Sequence, residues 1–524
     1  MTQLEAPSRK LSQLDEDERY RYFEDLQRSM PGVWESMQLN LEDESVVVVP
    51  SISIERTTAG SGTVMQALEE RALFLLLLLR QPRLRMIYVT SQPISESIIE
   101  YYLGLLPGVI PSHARARLTL VPVGDASAIS LSSKLLARPR LLREIRSLIP
   151  NPDRSHLIPY NTTPLERDVA LSLGIPMYGA DPRLEDLGSK TGCRRMFEEV
   201  GVRCPVGAED LRTVDDIVAG VQSMRARRPS LSQAIVKLNE GVSGAGNAML
   251  DLSDLPAPDS PDEAAVIRDR VLNLKPESEL LDVDVYLAAF EKNGGIVEER
   301  ISGEALESPS VQMRALPDGT VELLSTHDQL LGGASGQKYL GCIFPARPDY
   351  AAAIAEPAMA IGRRLAELKA LGRFAVDFVV VKDTTGAWTP YAIELNLRKG
   401  GTTHPFLTLQ FLTDGTYDGE RGVFLTPSGR TKYLVATDHF EDDRLKVLTV
   451  PELFDIVVRN GLHFDQARRT GVVFHMISCL TECGRVGLTA VGDTPEDAWQ
   501  IYETAQSMVL QEAEQALEEG CVIG

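Results

Sequence analysis

Cysteine is scarce: six in 524 residues, and no pair with C-x-x-C spacing. Cys479 and Cys483 come closest, at the wrong interval for a redox dithiol or a zinc ribbon. That excludes a disulfide framework and predicts a reducing, cytoplasmic setting. Long apolar runs are missing too. The longest, Ala72–Leu79, is bounded by Arg71 and Arg80 and is too short for a bilayer, so it predicts a buried helix. Met1–Glu44 is polar and acidic where a secretory signal would be apolar. Positive charge is in deficit, with 53 Lys+Arg against 74 Asp+Glu and a net charge of -21. Such a chain repels nucleic acid and anionic membrane, so neither is an expected partner. Any polyanionic ligand must be held by a few local cations and by metal. No internal repeat breaks the sequence into modules.

What is present is ordinary globular composition, 44% hydrophobic and 24% charged. The length predicts two to four domains, because one core rarely grows past roughly 250–300 residues. Residues 1–44 read as a loosely attached helical arm, with Tyr20, Tyr22, Phe23, Leu26 and Trp34 as docking points. From residue 45 to 186, strands alternate with helices, the mark of a parallel α/β sheet. Val46–Val49 is a β-branched run suited to a strand buried on both faces. TTAGSGT (Thr57–Thr63) follows it like a dinucleotide turn but lacks the full GxGxxG spacing, and a plain βα turn is the simpler reading. One helix is expected from about 64 to 79.

The middle of the chain carries the chemistry. A helix capped by Ser189 begins with Lys190, and the strand Ala234–Leu238 ends at Lys237. EGVSGAGNA (Glu240–Ala248) then joins two strands, so it is a flap rather than a Walker loop, with backbone N–H groups for phosphates. Its candidates are Gly241, Ser243, Gly244, Ala245 and Gly246. Asp328–Cys342 is glycine-rich, contains Lys338, and reads as a mobile substrate loop. Phe374–Val381 carries Asp377. A turn near Asp383–Gly386 returns the chain through Tyr391–Leu397, which carries Glu394, Asn396 and Arg398 at alternate positions. Alternate residues of a strand share a face. Two carboxylates and an amide oxygen on one hairpin are hard-cation ligands suited to Mg²⁺, and an arginine beside them suits a phosphate or an oxyanion. The stretch Lys399–Phe406, with His404 before Pro405, continues from this strand as a flexible substrate-facing segment. After Thr426 a separate α+β module of about a hundred residues is expected.

In that order, Lys190, Lys237, a glycine flap and Asp…Glu-x-Asn-x-Arg resemble the ATP-grasp superfamily of carboxylate ligases. ELNLRKGGTTHPF, Thr326–Gln329 and the C-terminal module are similar to the pheganomycin-type peptide ligases. The resemblance implies α/β and α+β architecture. Residues 45–186 would be a Rossmann-like pre-ATP-grasp domain, 187–424 the ATP-grasp domain with a lid subdomain at about 187–295, and 425–524 a small α+β C-terminal domain. It implies ATP and two Mg²⁺ ions, with Asp377, Glu394 and Asn396 as metal ligands and Lys190, Lys237 and the flap on the phosphates. Adenine would lie along Glu298–Ile301, with Glu298 or Glu299 accepting from ribose or adenine. Arg398, Lys338 and His404 would be catalytic. The implied reaction joins a carboxylate to an amine, an amino acid or peptide, through an acyl phosphate, in a homodimer. A thiol or other non-amine acceptor, phosphorylation without ligation, and a non-catalytic nucleotide-binding regulator are the alternatives.

Overall fold

The computed structural model describes residues 11–39, 43–53, 62–240, 246–277, 282–333, 336 and 338–520. Among these, no helix is long and apolar enough to cross a membrane. The β-branched run forms the strand Glu44–Val49, buried along its whole length. It lies between Leu84–Thr90 and Ser155–Pro159, with Leu118–Pro122 at the far edge, all four parallel. The expected single helix is instead an α-helix, Gly62–Glu70, followed by a 3₁₀ helix, Arg71–Arg80. Nearly all of this Leu-rich run is buried, so it has no amphipathic stripe to hold one 3.6-residue period. Most of TTAGSGT, residues 57–61, lies outside the described residues. The N-terminal arm is two helices, Glu16–Gln27 and Met30–Leu39. It is firmly docked: Phe23 is fully buried in the parallel-sheet core, and Trp34 stacks on Tyr178 at 5.4 Å.

A second sheet holds five antiparallel strands in the order Gly207–Leu211, Gly295–Glu299, Gln233–Leu238, Asn247–Asp251 and Lys275–Pro276. Helices Val214–Arg227, Glu263–Leu272 and Val283–Asn293 share its apolar core.

The third sheet is the largest, with nine strands. Trp388–Asn396 pairs with Gly372–Lys382, which pairs with Pro309–Ala315 and the short Leu306–Glu307. The order continues through Val321–Gly332, Lys338–Phe344, Tyr433–Glu441, Arg485–Gly492 and Gly471–His475. Two expectations change here. Most of Asp328–Cys342 lies in a long β-hairpin, not a mobile loop, although residues 334, 335 and 337 lie outside the described set. The C-terminal strands do not form a sheet of their own. They extend this one, because Lys338–Phe344 pairs directly with Tyr433–Glu441. Gly341 explains both changes: a Cβ there would sit 2.1 Å from the Ala436 carbonyl oxygen. Its glycine marks close strand approach rather than freedom.

Candidate active site

The antiparallel register sets the site. Asp377 and Glu394 are direct cross-strand partners, and Asn396 follows two residues on, opposite Ala375. Ser310, on the other neighbouring strand, pairs with Asp377. Two carboxylates on one face need positive charge beside them. Lys190 supplies it, with Nζ 2.6 Å from Glu394 Oε1. Asn396 Nδ2 donates to Asp377 Oδ2 at 3.0 Å, and the Arg398 guanidinium donates to Asn396 Oδ1. Burial and then Glu394 push Asp377 up to about 6. Burial acts to raise Glu394 too, but Lys190 and Arg398 overcome it and hold Glu394 low.

Lys190 is aimed by its helix, Lys190–Glu199, capped by Ser189 Oγ accepting from the Gly192 amide. The helix rests on the back of the carboxylate strand, where Cys193 Sγ accepts from the Leu395 amide at 3.1 Å. Its start is stapled to the end of Gln233–Leu238. Asn239 Oδ1 accepts from the Thr191 amide and hydroxyl, and Asn239 O accepts from the Lys190 amide. Lys237 reaches across to Glu298, Nζ to Oε1 2.6 Å, and Arg194 meets the other oxygen of Glu298 at 3.3 Å. Arg194 lies one helical turn past Lys190. Glu299 faces the other way, bound by Arg228 and by the Val206 amide. Of the two hinge glutamates, Glu298 therefore turns its carboxylate to Lys237, as strand alternation requires.

Between the five- and nine-stranded sheets lies a cleft of about 240 Å³; Asn396 and Arg398 are not among its lining residues and lie beside it, joined to Asp377 by hydrogen bonds. Lys190, Lys237, Glu298, Asp377 and Glu394 supply its polar wall, and Gly246, Glu299 and Ile301 also border it. Ile235, Leu306, Leu331, Phe378 and Ile393 make an apolar slot on the same cleft. The ligand set is oxygen-only, which fits Mg²⁺ and not zinc. Gly241, Ser243, Gly244 and Ala245 lie outside the described residues.

Two expected catalytic residues sit elsewhere. Lys338 is exposed at the outer end of its strand, opposite Gly332, and does not line the cleft. His404 is carried inward because Thr403–Thr413 is a helix rather than a flexible tail. There His404 Nε2 lies 3.2 Å from Asp438 Oδ1 and 3.1 Å from His475 Nε2. Asp438 also pairs with Arg71 at 2.5 Å and with His475 at 2.7 Å. Burial lowers His404 to about 3, so the imidazole is neutral. Among the described residues His404, Asp438 and His475 could converge on a cation. Arg71 already balances the one carboxylate, so a divalent ion would leave buried charge uncompensated. His327 is likewise core, packed against Phe344 and Phe406. Arg314 pairs with Glu322 and covers Trp34. Sequence reasoning missed Arg194, Asn239 and Ser310; the helical spacing from Lys190 pointed to the first.

Two family descriptions match the chain: "IQCH-like, ATP-grasp" over residues 274–420 and "PGM1 C-terminal domain" over 452–505. The biotin carboxylase domain of Hydrogenobacter thermophilus 2-oxoglutarate carboxylase, solved with MgADP, ADP and bicarbonate, superposes with a TM-score of 0.53 at 12% identity, over 88% of this chain and 89% of that one. The fold is the ATP-grasp fold. The ATP-grasp match over residues 274–420 takes in the carboxylate hairpin. The chain is also similar to L-propargylglycine–L-glutamate ligase of Streptantibioticus cattleyicolor, 28% identical over 84% of this chain and 89% of the ligase. It is 24% identical to IQ motif-containing protein H of Danio rerio over 82% of this chain, which spans 45% of that longer protein.

Proposed function

We propose that the chain is an ATP-dependent carboxylate–amine ligase that forms an amide bond through an acyl phosphate and releases ADP and phosphate. The observation that carries this is the Asp377–Glu394 register, with Lys190 paired to Glu394, Lys237 lining the same cleft, and an apolar slot beside them. Adenine would occupy the slot beside the main chain of Glu299–Ile301, and Lys190 and Lys237 would hold the phosphates. Arg194 and Glu298 would keep Lys237 extended toward them. Asp377, Glu394 and Asn396 would hold Mg²⁺, two ions in this proposal, which screens the carboxylates from the phosphates and leaves the γ-phosphoryl electrophilic.

The chemistry follows from leaving groups. A carboxylate cannot expel oxide. Transfer of the γ-phosphoryl to one carboxylate oxygen turns that oxygen into a phosphate leaving group, with ADP departing. An amine then attacks the acyl carbon, phosphate leaves, and the amine gives up its proton. Arg398 would stabilise the oxyanion of that step. The hairpin Val321–Gly332 and Lys338–Phe344 would close the cleft edge against water. The substrates are amino acids or their derivatives, a choice favoured by the name of the Streptantibioticus cattleyicolor ligase, which joins two amino acids. Residues 45–186, 187–424 and 425–524 would serve as pre-ATP-grasp, ATP-grasp and C-terminal units. A homodimer in the cytoplasm completes the proposal; the cysteines among the described residues are all unpaired.

The test is a product mass. Purified protein, Mg²⁺, ATP and pooled amino acids should give a dipeptide mass together with ADP. ATP consumed without any condensed product would favour a non-amine acceptor.

A further inference from the structure

We propose that the groove between the turns at residues 426–432 and 465–470 is a second binding site, for a small oxyanion carrying two or more negative charges. It shares no lining residue with the nucleotide cleft and does not depend on the ligase reading. Its cavity is about 310 Å³. That is the low end of small-molecule sites. Four of its eight lining residues are cations, Arg430, Lys432, Arg468 and Arg469, and none is acidic among the described residues. In a chain of net charge -21 this is a marked local reversal. The hydroxyls of Thr426 and Ser428 lie on the same wall, 3.0 Å apart; Thr426 Oγ1 donates to the Arg430 carbonyl and fixes that turn, and the exposed Ser428 hydroxyl is the donor that suits an oxygen acceptor.

The site is built rather than a chance crowding of surface side chains. Lys432 forms its floor, with a side chain only 1% exposed. Its Nζ donates to the Arg468 carbonyl at 2.9 Å and pairs with Asp493 at 2.6 Å, which ties the two turns together. Asp465 caps its own turn, accepting from the Ala467 and Arg468 amides at 2.7 and 3.0 Å, and lies 3.8 Å from Arg468 Nε. Gln466 anchors the same turn to the Leu105 carbonyl, and Arg469 donates to the Thr413 carbonyl at 2.9 Å. Asp465 and Asp493 thus offset two of the four cations. Two positive charges remain, with Arg430 exposed at the rim. A dianion in the groove would neutralise them and could accept from the Ser428 hydroxyl, while Thr426 Oγ1 donates to the Arg430 carbonyl at 3.2 Å. A macromolecular polyanion would meet the repulsion of the whole chain.

Phosphate groups and polycarboxylates share this chemistry, and binding experiments separate them. The full chain, its cleft saturated with Mg²⁺ and a non-hydrolysable ATP analogue, is dialysed against labelled orthophosphate, pyrophosphate or citrate. One equivalent should bind, weakening as salt rises. Arg430→Gln with Arg468→Gln should weaken binding about tenfold or more, because charge-assisted bonds are lost. Both side chains are exposed, so thermal stability should not change. Ser428→Glu, which places a like charge at the mouth, should weaken binding likewise. Preference for pyrophosphate assigns a phosphate group, and preference for citrate a polycarboxylate. If none of the three binds below about 10 mM, or if binding survives these substitutions, the second site does not exist.

Discussion

Glu394 sits where the charges of the cleft meet. It faces Asp377 across the strand pair and Lys190 at 2.6 Å, with Arg398 and Lys237 lowering its pKa further. Glu394→Gln keeps the shape and removes the charge. Turnover should fall about 10²-fold or more, while the thermal midpoint stays near that of the parent; near-parental activity would contradict the metal assignment. A different residue sets part of the pH dependence of stability. Glu69 is buried in the parallel-sheet domain, its oxygens accepting from the Ser91 hydroxyl at 2.6 Å and amide at 2.7 Å. Lys134 Nζ donates to the Ser91 hydroxyl at 2.8 Å. Burial raises Glu69 from 4.5 to about 7 against these bonds. The folded protein therefore holds this proton more tightly than the unfolded chain. The stability it lends is full below pH 4.5 and is lost as pH rises through about 7. Between pH 5 and 8 the parent should lose on the order of 2–3 kcal/mol more than Glu69→Gln, measured by urea unfolding. That Asp377, Glu394 and Asn396 come together was legible because residue type and strand pairing coincide, whereas Lys190 and Lys237 lie on a helix and on another strand. Asn239 and Ser310 were not legible, because their roles arise only from partners on other elements; Arg194 carried one signal, its place one helical turn past Lys190.

At the scale of elements, the carboxylate hairpin was legible and the segment after it was not. Strand Trp388–Asn396 keeps Leu395 fully buried and sets Glu394 opposite Asp377, with a register shift beside them that brings Ile393 to the cleft as well. The glycines of Asp328–Cys342 pointed to mobility, yet Gly332 and Gly341 are where paired chains crowd: a Cβ at Gly332 would lie 2.4 Å from Leu340. Helix Thr403–Thr413 removes His404 from the cleft and makes it part of a latch with Asp438, His475 and Arg71. Gly487 permits that latch, since a Cβ there would meet the His475 ring at 2.1 Å. Asp438 anchors it, held well below the usual carboxylate range because Arg71 and the imidazole donors outweigh burial. Asp438→Ala would leave the Arg71 guanidinium buried and unpaired. Unfolding free energy should drop by about 3–5 kcal/mol, read from denaturant curves; a loss below about 1 kcal/mol, the range of a surface pair, would mean the latch is not structural.

At the scale of the whole molecule, the parallel sheet and the cleft strands were predictable, but their junctions were not. Thr162 donates to the Leu397 carbonyl at 3.3 Å, and Lys399 donates to the Pro159 carbonyl. Both bonds bring the end of the parallel sheet against the segment around Arg398. Contacts between residues so far apart in sequence leave no local pattern. The nine-stranded sheet makes the same point. Removing residues 426–524 would strip Tyr433–Glu441 from Lys338–Phe344 and open a hydrogen-bonding edge beside the buried Phe344. The truncated chain should aggregate or unfold without cooperativity, and residues 426–524 alone should not melt as a unit; two independent sharp transitions would show separable modules.

Hydroxylamine trapping tests the chemistry most directly. The full chain with Mg²⁺, ATP and a panel of amino-acid carboxylates should convert one of them to its hydroxamate with matching ADP, and Glu394→Gln should not. ADP release with no hydroxamate from any carboxylate, or no ADP with any carboxylate–amine pair, would contradict an acyl-phosphate ligase.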